Sequence, residues 1–184
     1  MSFQKTVSAL RERRSLSSFE MEEAMRFIMS GRAAVSDIEE FLLALRQKGE
    51  TIDEIAAAAG VMREHAVKLF KPYPDLLDTC GTGGDAKNTI NISTLSALVA
   101  CAAGARVGKH GNRSVSSVCG SADILEMLGV KIDLPPGGVE RCIEETGFGF
   151  FFAPNFHPAT KAAMPARKNI KGKTIFNLLG PLTN

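Results

Sequence analysis

The stretch "DTCGTGGD", from Asp78 to Asp85, places three glycines, two threonines and two aspartates within eight residues. It follows a short apolar run at Leu76 and Leu77, so it is typical of a turn that ends a β-strand. Successive glycines allow backbone N–H groups to turn inward and surround an anion. A plain surface turn is the alternative, but a purely anion-binding turn gains nothing from Asp85. We therefore expect a ligand with phosphates and sugar hydroxyls, or a bound metal.

The glycine spacing of this turn fits neither a Walker A motif nor a dinucleotide fingerprint. Beyond it, predicted strands alternate with predicted helices, which indicates a parallel α/β sheet. The predicted elements are a buried helix at "NISTLSALVACAAG" (91–104), a strand at "ARVGKHG" (105–111), a helix at "SADILEMLG" (121–129) with Ser121 as its N-cap and Gly129 as its stop, a helix at "PPGGVERCIEETG" (135–147) with Pro136 in its first turn, and a strand at "FGFFFAP" (148–154).

The first 70 residues predict a unit of four short helices, one of them near residues 3–13. Gly31 and Gly49 follow two of the helices, where a left-handed residue is favoured. A capping box, in which a hydroxyl and a glutamate satisfy free N–H groups, precedes three helices. These boxes are "SSFE" (Ser17–Glu20), "SDIE" (Ser36–Glu39) and "TIDE" (Thr51–Glu54).

The stretch "KPYPD", Lys71–Asp75, is a break in composition, because its two prolines end a helix and favour extended chain. We interpret it as a linker. The predicted helical domain spans 1–72 and is joined by helices from about 158–184. The first part of an α/β domain spans 76–157.

Composition excludes several classes of protein. A hydrophobic content of 45% in 184 residues supports a packed core, and a dispersed net charge of +2 argues against nucleic-acid binding. No apolar run approaches the ~20 residues that a membrane span needs, so we expect no membrane partner. The four cysteines are widely spaced without a Cys-x-x-Cys pair, which favours a reducing cytoplasm over a zinc site or disulfides.

Two further polar stretches are candidates for binding. The loop "KHGNRSVSS", Lys109–Ser117, follows a predicted strand and is rich in donors that can contact phosphate; a solvated turn is its alternative. Near the end of the chain, Arg167 can pair with a carboxylate, and Gly180 with Pro181 can lie against a flat ligand. Taken alone, this last stretch is no different from an ordinary helical surface.

Taken together, these stretches resemble the anthranilate phosphoribosyltransferases, a family of tryptophan-pathway enzymes. The resemblance covers essentially the whole chain, and "KHGNR" after "GTGGD" is its most specific part. The motifs that carry it are "DTCGTGGD", "NIST" (91–94), "KHGNRSVSS", "GSAD" (120–123), "HPATK…PARK…FNLLGPLTN" (157–184) and, in the helical part, "MREHAV" (62–67).

The resemblance implies a small helical domain beside a larger α/β domain, with substrates in the cleft, a fold similar to that of the pyrimidine nucleoside phosphorylases. It implies transfer of phosphoribosyl from 5-phosphoribosyl 1-diphosphate to the amine of anthranilate, with Mg²⁺ as cofactor and a homodimer formed through the helical domain. No general base stands out, so positioning and stabilisation of the leaving diphosphate carry the catalysis.

The roles implied by the resemblance fall into three sets. Phosphoribosyl diphosphate binding is implied for Gly81, Thr82, Gly83, Gly84, Asp85, Thr89, Asn91, Ile92, Ser93, Thr94, Lys109, Ser116, Ser117 and Ser121. Anthranilate binding is implied for Gly81, His110, Asn112, Arg167, Gly180 and Pro181. Ser93 is implied as a ligand of magnesium.

The sequence departs from the family in two respects. Val118 and Cys119 stand where Lys-Ser is often expected, which removes one charge on the phosphate side. Family members also continue beyond "GPLTN" for about the same length again, including the acidic pair expected to hold magnesium. We therefore expect a truncated chain, a proteolysed product or a broken reading frame, without full activity and with exposed apolar faces.

Two other functions stay open from the sequence. A related phosphoribosyltransferase or nucleoside phosphorylase with another acceptor is one, although Arg167 and Asn112 favour anthranilate. A non-catalytic module that dimerises through the helical domain is the other. An acceptor screen distinguishes the first, and sedimentation combined with donor-binding calorimetry distinguishes the second.

Overall fold

The computed structural model describes residues 2–82, 90–114 and 119–184, which divide into two compact units. One unit, here the helical unit, comprises Met1–Ala66 and His157–Thr183. The other, here the α/β unit, comprises Val67–Phe156 and Asn184. Among residues 2–82, 90–114 and 119–184, none of the helices combines the length and the apolar character that a membrane span requires.

The described elements follow one another in this order: α1 (Phe3–Arg11), α2 (Ser18–Met29), α3 (Val35–Lys48), α4 (Ile52–Glu64), α5 (Ile92–Ala102), β1 (Val107–Gly111), α6 (Ser121–Met127), α7 (Pro136–Thr146), β2 (Phe148–Phe152), α8 (Ala153–Phe156), a 3₁₀ helix (Pro158–Ala163), α9 (Met164–Asn169) and α10 (Ile175–Leu182).

Two of the three predicted capping boxes begin helices of the helical unit. Ser17 Oγ accepts from the backbone N–H of Glu20, whose carboxylate in turn accepts from the backbone N–H of Ser17. Thr51 and Glu54 repeat this arrangement at the start of α4. Each reciprocal pair satisfies N–H groups that a helix leaves without an internal partner.

The prediction of a third capping box, at Ser36–Glu39, is wrong. The helix α3 begins at Val35, so Ser36 lies inside its first turn, and the N-cap is Ala34, whose side chain makes no capping bond. Glu39, which was expected to reach back to the N-cap, instead accepts a hydrogen bond of 2.6 Å from Asn169 Nδ2. A tertiary contact therefore replaces the local one.

The helical unit has one continuous apolar core. Side chains from α2 and α3 form its centre, including the fully buried Met25, Phe41 and Leu45. The later helices complete it through residues such as Ala166 and Phe176. Because burying a side chain of this size contributes about 1.5–3 kcal/mol, this core is the main source of the unit's stability.

A buried ion pair joins two helices of this unit. Glu54 and Lys48 lie 2.8 Å apart with almost no exposed side-chain surface. Glu54 also accepts from the backbone N–H groups of Leu16 and Thr51, each at 2.8 Å. Burial raises the pKa of Glu54, but the hydrogen bonds from Lys48 and the backbone outweigh it, so the pKa stays below its ordinary value.

The α/β unit is built on two parallel strands. Val107 pairs with Phe148 at one end and Gly111 with Phe152 at the other. The strand predicted at 76–77 is reduced to one parallel bridge between Leu77 and Val107. Two small apolar clusters, one against α6 and one against α7, form the core of this unit: Ala122, Leu125, Ile132 and Phe150 in the first, and Val139, Ile143, Phe151 and Phe156 in the second.

The helix α5 is less buried than its sequence predicts. Only Thr94 and Ala97 are buried, whereas Leu95, Leu98 and Val99 are exposed, Val99 to 60%. The prediction of a buried helix is therefore wrong for the part of the chain that the structure describes, and the expected exposed apolar face is present here.

The start of α6 also differs from the prediction. The N-cap is Gly120, and Ser121 is the first helical residue. A Cβ atom at Gly120 would lie 2.6 Å from the carbonyl oxygen of Asn112 and 2.7 Å from the carbonyl carbon of Arg113. Only glycine fits this close approach of the preceding loop, and the side chain of Asp123 caps the helix by accepting from the Gly120 N–H at 2.8 Å.

The stretch predicted as a linker packs within the α/β unit. The backbone N–H of Lys71 donates to Glu140 on α7 at 2.8 Å, and Lys71 Nζ lies 2.6 Å from Glu144 on the same helix. These contacts attach the proline-containing segment to α7, so it is not an independent connection.

Candidate functional site

The turn after Leu77 and the end of β1 are joined by Asp78 and His110. Asp78 Oδ2 lies 3.0 Å from His110 Nδ1, and Asp78 Oδ1 accepts from the backbone N–H of His110 at 3.2 Å. Because Leu77 and β1 run parallel, both residues lie at carboxyl ends of neighbouring extended segments. This is the edge at which open α/β sheets bind ligands.

Two further hydrogen bonds bring α5 and the loop before α6 to the same place. Thr79 Oγ1 donates to the carbonyl oxygen of Ser93 at 2.6 Å. Asn91 Nδ2 donates to the carbonyl oxygen of Cys119 at 3.2 Å. The strand-end turn, the first turn of α5 and the segment at Cys119 therefore form one cluster, which we call the strand-end site.

The first turn of α5 contributes a buried hydroxyl to the strand-end site. Thr94 is 2% exposed, and its Oγ1 has no hydrogen-bond partner within residues 2–82, 90–114 and 119–184. A buried hydroxyl without a partner is costly, so a ligand that bonds to Thr94 Oγ1 would be stabilised by this contact. The N-terminus of this eleven-residue helix adds N–H groups and a dipole that favour negative charge.

Lys109 brings a buried ammonium to the site. The residue is 2% exposed, and its Nζ donates to the carbonyl oxygen of His110 at 2.6 Å. Burial lowers the pKa of Lys109, while the nearby Cys80 and Asp78 act in the opposite direction. No ion pair within 4.0 Å involves Lys109 among the described residues, so its charge is available to an anionic ligand.

The loop after β1 is held by Asp123. Its carboxylate accepts from the backbone N–H groups of Ser114 and Gly120 at 2.9 and 2.8 Å, and these bonds lower its pKa. Arg113 is paired with Glu126 through contacts of 2.6 and 3.0 Å. The arginine in the predicted basic loop therefore stabilises the loop, and Lys109 supplies positive charge to the described part of the site.

Asn112, another predicted residue of this loop, accepts hydrogen bonds through both its carbonyl oxygen and its side-chain oxygen. Its carbonyl oxygen accepts from Ser121 Oγ at 3.4 Å and from the backbone N–H of Ala122 at 3.2 Å. Its side-chain oxygen accepts from the N–H of Arg113 at 2.8 Å. His110 and Asn112 thus lie two residues apart at the end of β1, and Ser121 contacts the same loop.

Three predicted residues lie in the helical unit. Arg167 in α9 is half-buried, its guanidinium lies 5.1 Å from the centre of the Phe176 ring, and burial lowers its pKa. No carboxylate pairs with it among the described residues. Gly180 and Pro181 lie in the last turns of α10, and a Cβ atom at Gly180 would meet no heavy atom within 4 Å.

Several predicted residues are exposed or lie outside the described residues. Gly81 and Thr82 follow the turn and are exposed, and Ile92 is 60% exposed. Six lie outside the described residues: Gly83, Gly84, Asp85, Thr89, Ser116 and Ser117.

Three residues that organise the strand-end site were missed by the sequence reasoning. Asp78, Thr79 and Asp123 connect segments that are distant in the chain. Asp78 had one local signal, because an aspartate at the end of a strand can accept from the N–H two residues later, as it does from Cys80 at 2.9 Å. The contacts to His110 and Ser93 had no such signal.

The described residues contain no group of three His, Cys, Asp or Glu side chains that could hold a metal ion. Ser93, the predicted magnesium ligand, is half-buried in the first turn of α5. Magnesium is commonly held by one or two protein ligands together with substrate phosphates, so a single hydroxyl fits a metal that arrives with a phosphate ligand.

The chain belongs to the glycosyl transferase family. The model of the family's helical bundle domain matches residues 4–66, and the model of its a/b domain matches residues 73–184. The predicted fold class, a small helical domain with an α/β domain of parallel strands, is confirmed.

The particular relatives are anthranilate phosphoribosyltransferases. The protein of that name from Alkaliphilus metalliredigens is 55% identical over 98% of this chain and 53% of its own length. The crystal structure from Thermus thermophilus has a TM-score of 0.90 at 49% identity, covering 97% of this chain and 54% of that one. The Saccharomyces cerevisiae enzyme in complex with PRPP and Mg has a TM-score of 0.89 at 30% identity, covering 98% of this chain and 54% of that one. The chain thus spans about half the length of the curated relatives it matches.

Proposed function

We propose that this chain carries the donor site of an anthranilate phosphoribosyltransferase of tryptophan biosynthesis. The full reaction transfers phosphoribosyl from 5-phosphoribosyl 1-diphosphate to the amine of anthranilate. The observation that supports it best is the strand-end site, where Asp78 binds His110 and Thr79 binds Ser93. It unites the segments that the resemblance assigns to a phosphorylated sugar.

The donor is recognised through its charge and its oxygens. Lys109 supplies a buried ammonium, Thr94 supplies a buried hydroxyl without a partner in the described ranges, and the start of α5 supplies backbone N–H groups. All three groups are suited to phosphate oxygens. Because they are fixed by the fold before the ligand binds, they need little reorganisation to stabilise charge on a departing diphosphate.

The acceptor is recognised through its carboxylate and its flat ring. Arg167 of the helical unit is a half-buried guanidinium without a carboxylate partner among the described residues, which suits the carboxylate of anthranilate. Gly180 offers backbone without side-chain bulk, and Pro181 offers the edge of a flat ring. The family resemblance also assigns His110 and Asn112 to anthranilate binding.

Magnesium is the cofactor in this proposal. Ser93 would hold it with oxygens of the donor, and the ion would neutralise charge on the diphosphate. A homodimer formed through the helical unit and a cytoplasmic location complete the proposal; the first rests on the family resemblance and the second on the widely spaced cysteines.

Calorimetric titration of the chain with 5-phosphoribosyl 1-diphosphate and Mg²⁺ tests the donor site. We expect saturable binding that Lys109→Met weakens about 10- to 150-fold, because a hydrogen bond to a charged group contributes about 1.5–3 kcal/mol. Lys131→Met, at an exposed lysine of the same unit, is the matched control and should bind like the unmodified chain. Absence of donor binding in a folded chain, or equal binding by both variants, would contradict the proposal.

The acceptor is tested separately by mass spectrometry. The chain is incubated with the donor, Mg²⁺ and a panel of aromatic amines and nucleobases, and bound or converted acceptors are identified. Selective retention or conversion of anthranilate, lost in Arg167→Met, supports the proposal. Selection of another acceptor would assign the chain to a related transferase.

A further inference from the structure

Asp78 is a hydrogen-bond acceptor shared by distant parts of the α/β unit. Its Oδ1 accepts from the backbone N–H groups of Cys80 and His110, at 2.9 and 3.2 Å. Its Oδ2 lies 3.0 Å from His110 Nδ1 and accepts from Asn184 Nδ2 at 2.7 Å. Oδ1 therefore accepts from backbone N–H groups, whereas Oδ2 contacts side chains.

The charge of Asp78 determines which atom of the pair carries the proton. Burial raises the pKa of this carboxyl. The hydrogen bond from His110, the electrostatic attraction of His110 and the two backbone N–H groups outweigh burial and hold the pKa below its ordinary value. At neutral pH the group is a carboxylate and can only accept. The proton between it and the imidazole therefore belongs to His110 Nδ1.

The fold fixes both partners in this contact. His110 lies in β1, directly opposite Phe151, and its ring stacks on the Phe151 ring at a centroid distance of 4.5 Å. Asp78 follows Leu77, whose backbone bonds to Arg106 and Gly108 at 2.9 Å on either side. The backbone bonds of Leu77 and the stacking of the His110 ring therefore bring the two residues close together.

We infer that Asp78 is a positioning residue that holds His110 in the tautomer with its proton on Nδ1, so that the lone pair of the neutral ring is on Nε2. The part of this inference that concerns the acceptor rests on the proposed function. When the amine of anthranilate bonds to the anomeric carbon, the bond from that carbon to diphosphate breaks and its electron pair leaves with diphosphate. The proton that the new ammonium loses then passes to Nε2, and Asp78 stabilises the resulting imidazolium.

This inference changes the expectation that the site has no proton acceptor. A histidine whose Nδ1–H is donated to a carboxylate is arranged as a base at Nε2, and the pair is formed before any substrate binds. Positioning and charge stabilisation still act on the donor, while His110 acts on the acceptor.

Nitrogen NMR of the unmodified chain labelled with ¹⁵N-histidine tests the tautomer without substrates. The chain has three histidines, and His110→Gln assigns the signals of interest. At a pH where the ring is neutral, we expect a protonated Nδ1 and an unprotonated Nε2. His65, whose Nδ1 lies 2.8 Å from the Val61 carbonyl oxygen, is an internal reference for this tautomer. A neutral His110 with its proton on Nε2 would overturn the inference.

Asp78→Asn tests whether Asp78 causes this tautomer. The backbone N–H groups of Cys80 and His110 require the oxygen of the introduced amide, so its NH₂ group must face His110 Nδ1. We expect the proton of His110 to move to Nε2 while His65 stays unchanged. Asp75→Asn, at an exposed aspartate of the same unit, should leave both histidines unchanged. An unchanged His110 tautomer in a folded Asp78→Asn chain would overturn the positioning role.

The acceptor part is tested by adding anthranilate with the donor and Mg²⁺. We expect the Nε2 signal of His110 to move in the unmodified chain; an unmoved signal at saturating anthranilate would overturn this part. The two proposals fail separately. Correct tautomers without binding of either substrate would contradict the proposed function alone, whereas substrate binding with a proton on Nε2 would contradict the inference alone.

Discussion

The buried ion pair of the helical unit and the strand-end site of the α/β unit use their polar groups differently. In the helical unit, Glu54 is buried with Lys48 and two backbone N–H groups, so every contact of its carboxylate is supplied by the unit itself. In the α/β unit, the Thr94 hydroxyl has no partner among the described residues and Lys109 has no ion-pair partner there. The contacts of Glu54 stabilise the folded chain, whereas Thr94 and Lys109 can form favourable contacts with a bound ligand.

The apolar groups of the two units differ in the same way. One continuous core fills the helical unit, whereas two small clusters lie on the two-stranded sheet and one face of α5 stays exposed. We therefore expect substitutions to change stability by different amounts in the two units, and to change donor binding in the α/β unit.

The largest effect is expected at the ion pair of the helical unit. Glu54→Gln keeps the size of the side chain but leaves the buried Lys48 ammonium without an opposite charge. We expect a loss of about 3 kcal/mol in the free energy of unfolding, measured by urea denaturation. Asp53→Asn, one residue earlier at an exposed position, is the matched control and should change stability by less than about 0.5 kcal/mol.

The same carboxylate predicts a dependence on pH. Because the pKa of Glu54 is lowered in the folded chain, its contribution is present above the unfolded carboxyl pKa and is lost as pH falls through the folded value. The stability difference between the unmodified chain and Glu54→Gln should therefore narrow below about pH 4. A difference that stays constant down to pH 2 would show that the charge is not responsible.

The same type of substitution, threonine to valine, is expected to change stability with opposite sign in the two units. Thr94→Val removes a buried hydroxyl without a described partner, so we expect the ligand-free chain to gain about 1 kcal/mol and to bind the donor more weakly. Thr183→Val in the helical unit removes a hydroxyl that donates to the Leu179 carbonyl oxygen at 2.8 Å, and should lose about 1 kcal/mol. Thermal unfolding with and without the donor measures both; losses of equal size would remove the distinction between the units.

The smallest effect is expected on the exposed face of α5. Val99 is 60% exposed, so Val99→Ser should change the free energy of unfolding by less than about 0.5 kcal/mol, although the sequence pattern predicts a buried position. Phe156→Ala, at a residue 2% exposed in the same unit, should cost about 3 kcal/mol. Comparable losses in the two variants would mean that α5 is covered in solution.

The helix starts that depend on local interactions could be predicted from the sequence. The boxes at Ser17 and Thr51 begin helices because each is complete within four residues. The capping box predicted at Ser36 is absent, because its glutamate, Glu39, instead binds Asn169, which lies 130 residues away in the chain. The sequence also predicted burial of α5, because periodicity marks an apolar face but does not say what covers it.

The candidate site shows the same limit. The residue types of the strand-end turn and the basic loop predicted a phosphate ligand. This prediction required only that both segments follow predicted strands. The role of Asp78 could not be predicted, because its partners His110 and Asn184 are 32 and 106 residues away. Only the pairing of the strand-end segments brings these groups together.

The most direct test of the account is a map of backbone amide shifts on titration with 5-phosphoribosyl 1-diphosphate and Mg²⁺. The account predicts that Cys80, Ser93 and Lys109 shift together, with one dissociation constant, while amides of the buried ion pair at Glu54 stay unchanged. Shifts confined to other surfaces, or strand-end amides that remain still at saturating donor, would contradict the claim that these segments form one phosphoribosyl site.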